Sequence, residues 1–147
     1  MRSASWFFED MEKIKVPENY LKRFGGYRCP NYTETPNEIF DKFLSFLSHA
    51  ELKVLLYIVR RTFGFHKKDE GDAISLSQIC NGIKKKKSSE GEEEVKDEGT
   101  GLTKKSAIKA IKSLEKKGHI MVWRNRKTKH GDTDSNWYRL NIIKERG

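Results

Sequence analysis

From Thr103 to Gly118 the chain repeats with a period that suits an α-helix and little else. Ala107, Ala110, Ile111 and Leu114 recur at i, i+3, i+4 and i+7, while Lys104, Lys105, Ser106, Lys109, Lys112, Ser113 and Lys116 occupy the opposite side. Thr103 is placed to cap the first turn and Gly118 to stop the last. A helix divided this way must lay its aliphatic stripe on a core supplied by the rest of the chain and turn its lysines to water. Ile108 falls at the boundary between the two faces.

The same stretch holds the whole charge excess. Residues 101–130 contain ten bases, including Lys117, Arg124, Arg126, Lys127 and Lys129, and one acid, Glu115, so they carry all of the +9 formal charge while the other residues balance. So concentrated a basic surface on a small fold implies a polyanionic partner, nucleic acid first. With 147 residues, 35% of them hydrophobic and 35% charged, the chain suits one compact domain with an arm and a small core, which disfavours a large catalytic cleft. No run approaches the roughly 18 to 20 apolar residues of a membrane span, and no signal peptide is recognisable. Cys29 and Cys80 lie far apart, without a C-x-x-C partner or a histidine at metal-ligand spacing, so a reduced, cytoplasmic protein without metal or cofactor is expected.

Residues 1–34 mix aromatics with Pro17, Gly25, Gly26 and Pro30 and lack sustained periodicity, and are read as an N-terminal arm. Thr35-Pro36 then predicts a helix start, with Ile39, Phe40, Phe43, Leu44 and Leu47 at helical spacing. Ser48-His49-Ala50-Glu51 fits a capping box opening a second helix, apolar over most of its circumference and ending near Gly64. A short strand is expected at Ala73-Ile74-Ser75, and Ser75-Leu76-Ser77-Gln78 offers another capping box for a brief third helix with Leu76, Ile79 and Ile83 inward. Residues 84–100 hold five bases, six acids and a single large apolar residue, Val95, and read as a flexible charged insertion whose deletion should barely change stability. Ile120 and Val122, and later Tyr138, Leu140 and Ile142, alternate at period two and predict a closing hairpin around a polar loop, 125–135.

The expected fold is therefore mainly α with a small β-hairpin, in the order of a winged helix-turn-helix DNA-binding domain over residues 35–147. The fourth helix becomes the recognition helix, with Thr103, Lys104, Lys105, Ser106, Lys109, Lys112 and Ser113 toward DNA. The hairpin becomes the wing, with Arg124, Arg126, Lys127, Lys129 and His130. Trp123 and Trp137 are read as packing residues. No histidine, including His119 and His130, stands with a nucleophile or metal-ligand set, so catalysis is not expected. The acids Glu92, Glu93, Glu94, Asp97 and Glu98 read as a solvated run without ligand geometry.

Three blocks, Thr35-Pro36-Asn37-Glu38-Ile39, Arg60-Arg61-Thr62-Phe63-Gly64-Phe65-His66-Lys67-Lys68 and Ile74-Ser75-Leu76-Ser77-Gln78-Ile79, resemble the N-terminal domain of bacteriophage replication protein O. The stretch Gly101 to Ile120 and Asn136-Trp137-Tyr138-Arg139-Leu140 continue the resemblance, over about residues 35–142. It implies an origin-binding initiator that recognises repeated double-stranded DNA sites, often as a homodimer. It also implies recruitment of a replicative helicase or its loader through a region not found here, in the cytoplasm or nucleoid of the host. The insertion at 84–100 departs from the family's tight turn between helices. Fold and basicity alone also allow a transcriptional regulator, distinguished by a single promoter operator in place of repeats, or a protein-interaction adaptor, distinguished by salt-resistant binding that ignores DNA.

Overall fold

The structure of the chain, a computed structural model, describes residues 5–86, 93–124 and 135–143. Two compact units divide it, Met1–Tyr32 and Thr33–Gly147. The first unit is more regular than its lack of periodicity predicts. It contains helices α1 (Ser5–Lys13) and α2 (Glu18–Arg23), with extended Pro17 (φ −55°, ψ 137°) at the head of α2. Rings of Tyr20, Phe24 and Tyr27 follow one another at centroid distances of 6.2 and 5.0 Å.

The second unit begins with an irregular helical segment in place of the regular helix expected over 35–47. Thr35 Oγ1 donates to the Thr33 carbonyl, so the threonine does not cap, and the backbone widens into a π-helical turn at Ile39–Phe43. Ile39 and Leu47 reach the core, whereas Phe40, Leu44 and Phe46 are exposed. Helix α3 (His49–Thr62) opens with the predicted capping box, Glu51 N–H donating to Ser48 Oγ and Ser48 N–H to Glu51 Oε1. Its buried face supplies Val54, Leu55, Tyr57, Ile58 and Val59. The stop is not at Gly64 itself: a 3₁₀ turn, Phe63–Phe65, tightens the end, and His66 takes the left-handed conformation (φ 59°).

Strand β1 (Asp72–Ile74) lies one residue earlier than predicted, because Ser75 is already the cap of α4 (Leu76–Asn81), where Gln78 completes the second capping box. Helix α5 (Lys104–Lys116) is capped by Thr103 Oγ1, which accepts from Ser106 N–H. It ends as predicted at Gly118, whose φ of 86° suits a residue without Cβ. His119 N–H returns to the Leu114 carbonyl and Gly118 N–H to that of Glu115. Strands β4 (Ile120–Trp123) and β5 (Asn136–Leu140) then pair antiparallel, and β1 adds to β5, giving the order β1-β5-β4.

The insertion differs most from expectation. Its ends form an antiparallel ribbon, β2 (Ile83–Lys86) with β3 (Glu93–Asp97), which sets Lys85 opposite Glu94 and Lys86 opposite Glu93 in register. The base of the ribbon is tied to the fold: Tyr57 Oη donates to both carboxylate oxygens of Asp97 (3.1 and 3.2 Å), and Thr100 donates to the Ile79 carbonyl through N–H and Oγ1. Gly82 (φ 82°) permits this closure, since a Cβ there would overlap the Asp97 carbonyl oxygen. The architecture is thus helices with two small antiparallel sheets, richer in β-structure than a single hairpin. One core joins α3, α4, α5 and the inner face of the three-stranded sheet through Val54, Ile58, Ile79, Leu114, Tyr138 and Leu140.

Candidate nucleic-acid interface

Helix α5 divides as its period requires. Ala107, Ala110, Ile111 and Leu114 are buried, and Lys104, Lys105, Ser106, Lys109 and Lys112 are exposed together with the cap Thr103; Ile108 lies on the exposed side. Thr103 Oγ1 also donates to Ser106 Oγ (3.0 Å), which fixes both hydroxyls at the start of the helix. Beside this face a cleft of about 370 Å³ runs between α5 and the beginning of α3, lined by Ser48, Glu51, Ser106, Lys109 and Ser113.

Ser113 and Arg124 stand apart from the exposed lysines. Ser113 is half-buried and its Oγ donates to Glu51 Oε2 at 3.0 Å, the same oxygen that accepts from Lys117 Nζ at 2.7 Å. Burial works to raise the pKa of Glu51. The Lys117 ammonium, then Ser48, then the Ser113 hydroxyl outweigh it and hold the carboxyl at about 2, against an ordinary 4.5. Glu51, only 7% exposed, thus clamps the first turn of α3 to the last turns of α5. Arg124 makes a two-pronged contact with Glu115 (2.9 and 3.1 Å), and that hydrogen-bonded guanidinium holds the Glu115 carboxyl below its usual range against the opposing effect of burial. The other expected wing residues, Arg126, Lys127, Lys129 and His130, lie outside the described residues.

His119 is half-buried at the end of α5. Its ring meets Phe43 edge-on at 4.6 Å, and burial, followed by the Lys117 charge, lowers its pKa below the ordinary 6.5. Cys80 is buried, and burial pushes its thiol up. Among the described residues no group of three His, Cys, Asp or Glu side chains is arranged to hold a metal ion, and no helix is long and apolar enough to cross a membrane.

Three side chains are placed otherwise than the sequence alone predicts. Glu51 was visible only as a capping residue, because its partners Ser113 and Lys117 stand 62 and 66 positions away. Trp123 and Trp137 do not pack in the core; they face outward on β4 and β5. The signal for that was present, since placing Val122 and Tyr138 inward at period two turns their tryptophan neighbours outward.

No curated protein and no solved structure matches the chain. A family model does: that of bacteriophage replication protein O matches residues 30–137, from just before the π-helical turn, through α3, the ribbon and α5, into β5. A match over most of the length, covering the lysine-faced helix and the elements that hold it, carries a replication-related role, and the chain belongs to the bacteriophage replication protein O family.

Proposed function

We propose that this protein binds double-stranded DNA sequence-specifically as a phage replication initiator, with α5 as the recognition helix of a winged helix-turn-helix and the β4–β5 hairpin as its wing. The observation that carries the reading is the cationic face of α5: Lys104, Lys105, Lys109 and Lys112 are exposed on a helix whose opposite stripe is locked into the core. A rigid helix bearing lysines beside short hydroxyls suits a major groove, where Thr103 and Ser106 meet phosphates or base edges while the lysines neutralise the backbone. The order α3, β1, α4, α5, β4, β5 and the sheet order β1-β5-β4 support the winged arrangement. Arg126, Lys127, Lys129 and His130 extend the proposed surface from the sequence alone. Ser113 and Arg124 serve it by holding α5 in place. Recognition of repeated origin sites, a dimeric state and contact with a replicative helicase or its loader belong to the same proposal and draw on family membership.

Footprinting on the DNA that encodes the protein is the direct test, with clustered protected repeats expected and a single promoter operator pointing to regulation instead. For a site neutralising about 5 to 8 phosphates, log K against log salt should have a slope of roughly −4 to −7. The Lys105→Ala, Lys109→Ala double variant should make that slope shallower by about 2 while the protein still melts cooperatively. An unchanged slope and affinity would remove α5 from the interface.

A further inference from the structure

The outer face of the three-stranded sheet carries a cluster that duplex binding by α5 does not use. Trp123 and Trp137 stand directly opposite each other across β4 and β5, and Met121 stands opposite Arg139 one step along the same face. The indoles are 46% and 41% exposed and Met121 is exposed as well, although the alternate positions of both strands, Ile120, Tyr138 and Leu140, are buried. An outward apolar cluster of this kind is the informative kind of surface, because an ordinary solvent-facing strand places polar residues there.

The cluster is also held in position. Trp137 Nε1 donates to the Glu70 carbonyl at 2.6 Å, which fixes that indole. Arg139 Nη1 donates to the Asp69 carbonyl at 3.1 Å, its Nη2 approaches Met121 Sδ, and its guanidinium carbon lies 5.5 Å from the Trp123 ring centroid. Two broad aromatic surfaces and one planar cation are therefore presented together. The chemistry of a fitting ligand follows: flat rings to lie on indole, and negative charge to meet a guanidinium in the neighbourhood of β4, which belongs to the stretch with ten bases and one acid. That one acid, Glu115, is already paired with Arg124. An acidic peptide would supply the charge without the rings, and a duplex keeps its bases stacked on each other.

We propose that Trp123, Trp137 and Arg139 on the outer face of the β1-β5-β4 sheet form a stacking platform for the unpaired bases of single-stranded nucleic acid, separate from the duplex surface on α5. Base–indole stacking tolerates any sequence, and charge alone cannot imitate it, because a strand stripped of bases retains its phosphates.

The test measures binding of the full chain to a short oligothymidylate and to an abasic strand of equal length and charge, at one salt concentration. The base-bearing strand should bind at least several-fold more tightly. Trp123→Ala should lose between about five- and a hundred-fold in affinity for it, with little change for the abasic strand, and Trp123→Phe should recover most of the loss. Equal affinity for the two strands overturns the proposal without recourse to any variant, as does a cooperatively melting Trp123→Ala protein that keeps wild-type affinity. Capture of a protein partner by this face in the absence of any base-dependent strand binding overturns it too. The Lys105→Ala, Lys109→Ala variant separates the two surfaces: it should keep the preference for thymidine over abasic strand even if its duplex affinity falls.

Discussion

Glu51 shows how much one side chain can carry when its charge is buried. Its Oε1 completes the cap of α3 and its Oε2 accepts from Ser113 of α5 and from Lys117 at the C-cap of that helix, so its ionised form ties the start of α3 to the end of α5. The carboxyl is held at about 2 in the fold against 4.5 for an unperturbed glutamate. A depressed folded pKa adds stability that is complete above about 4.5 and is lost as pH falls toward 2, because the unfolded chain takes up the proton first. That shift corresponds to about 3 kcal/mol at most, less for screening around the half-exposed Lys117. Denaturant melts between neutral pH and the acid limit should therefore show wild type losing stability over this window. Glu51→Gln should begin lower by roughly 1 to 3 kcal/mol and lose less on acidification; parallel curves for the two proteins would mean that the clamp contributes nothing. The S-x-x-E pattern made the cap legible, since Ser48 and Glu51 are neighbours in the chain. The clamp was not legible, because a local pattern contains no information about which residue of a later helix arrives beside it.

Elements that announce themselves by a cap and a period are legible in the sequence: α3 from Ser48, α4 from Ser75, α5 from Thr103 to Gly118, and the β4–β5 hairpin. Elsewhere another force decides. Residues 37–47 have helical spacing, but only Ile39 and Leu47 are buried and Phe43 half-buried, so the segment adapts to the core with a π-helical turn. The ribbon β2–β3 is not legible in a hydrophobic pattern, because Val95 is the only large apolar residue of 84–100 and what ties the ribbon to the fold is Asp97, 40 positions from its partner Tyr57. The strength of that anchor is measurable. Tyr57→Phe removes the hydroxyl that donates to the Asp97 carboxylate, and the domain should lose roughly 1.5 to 3 kcal/mol, the net worth of a hydrogen bond to a charged group. Gly82→Ala should cost at least as much, because the methyl group meets the Asp97 carbonyl oxygen and the positive φ strains any side chain. Denaturant unfolding reads both effects. Losses below about 0.5 kcal/mol, the usual range for surface changes, would return the segment to a solvated linker.

Among the described residues, the buried apolar core runs from Ile39 to Leu140, within the second unit. The lysine face of α5 exists because that core holds the opposite stripe, and the outward tryptophans exist because Val122 and Tyr138 are turned inward by the same core. Both surfaces are thus consequences of one packing arrangement, which is why the first was visible from helical period and the second was recoverable from strand alternation. Charge added what periodicity lacks, a partner class, but not which basic groups remain free: Arg124 and Lys117 count toward the excess and are spent on Glu115 and Glu51. If one packing arrangement creates both surfaces, residues 1–32 should be dispensable for the stability of the rest. A chain beginning at Thr33 should melt within about 4 °C of the full protein, less than roughly 1 kcal/mol would shift a domain of this size, and should retain the duplex affinity and its salt slope. A larger fall in melting temperature, read by calorimetry on both chains, would show that the stability of the second unit depends on residues 1–32.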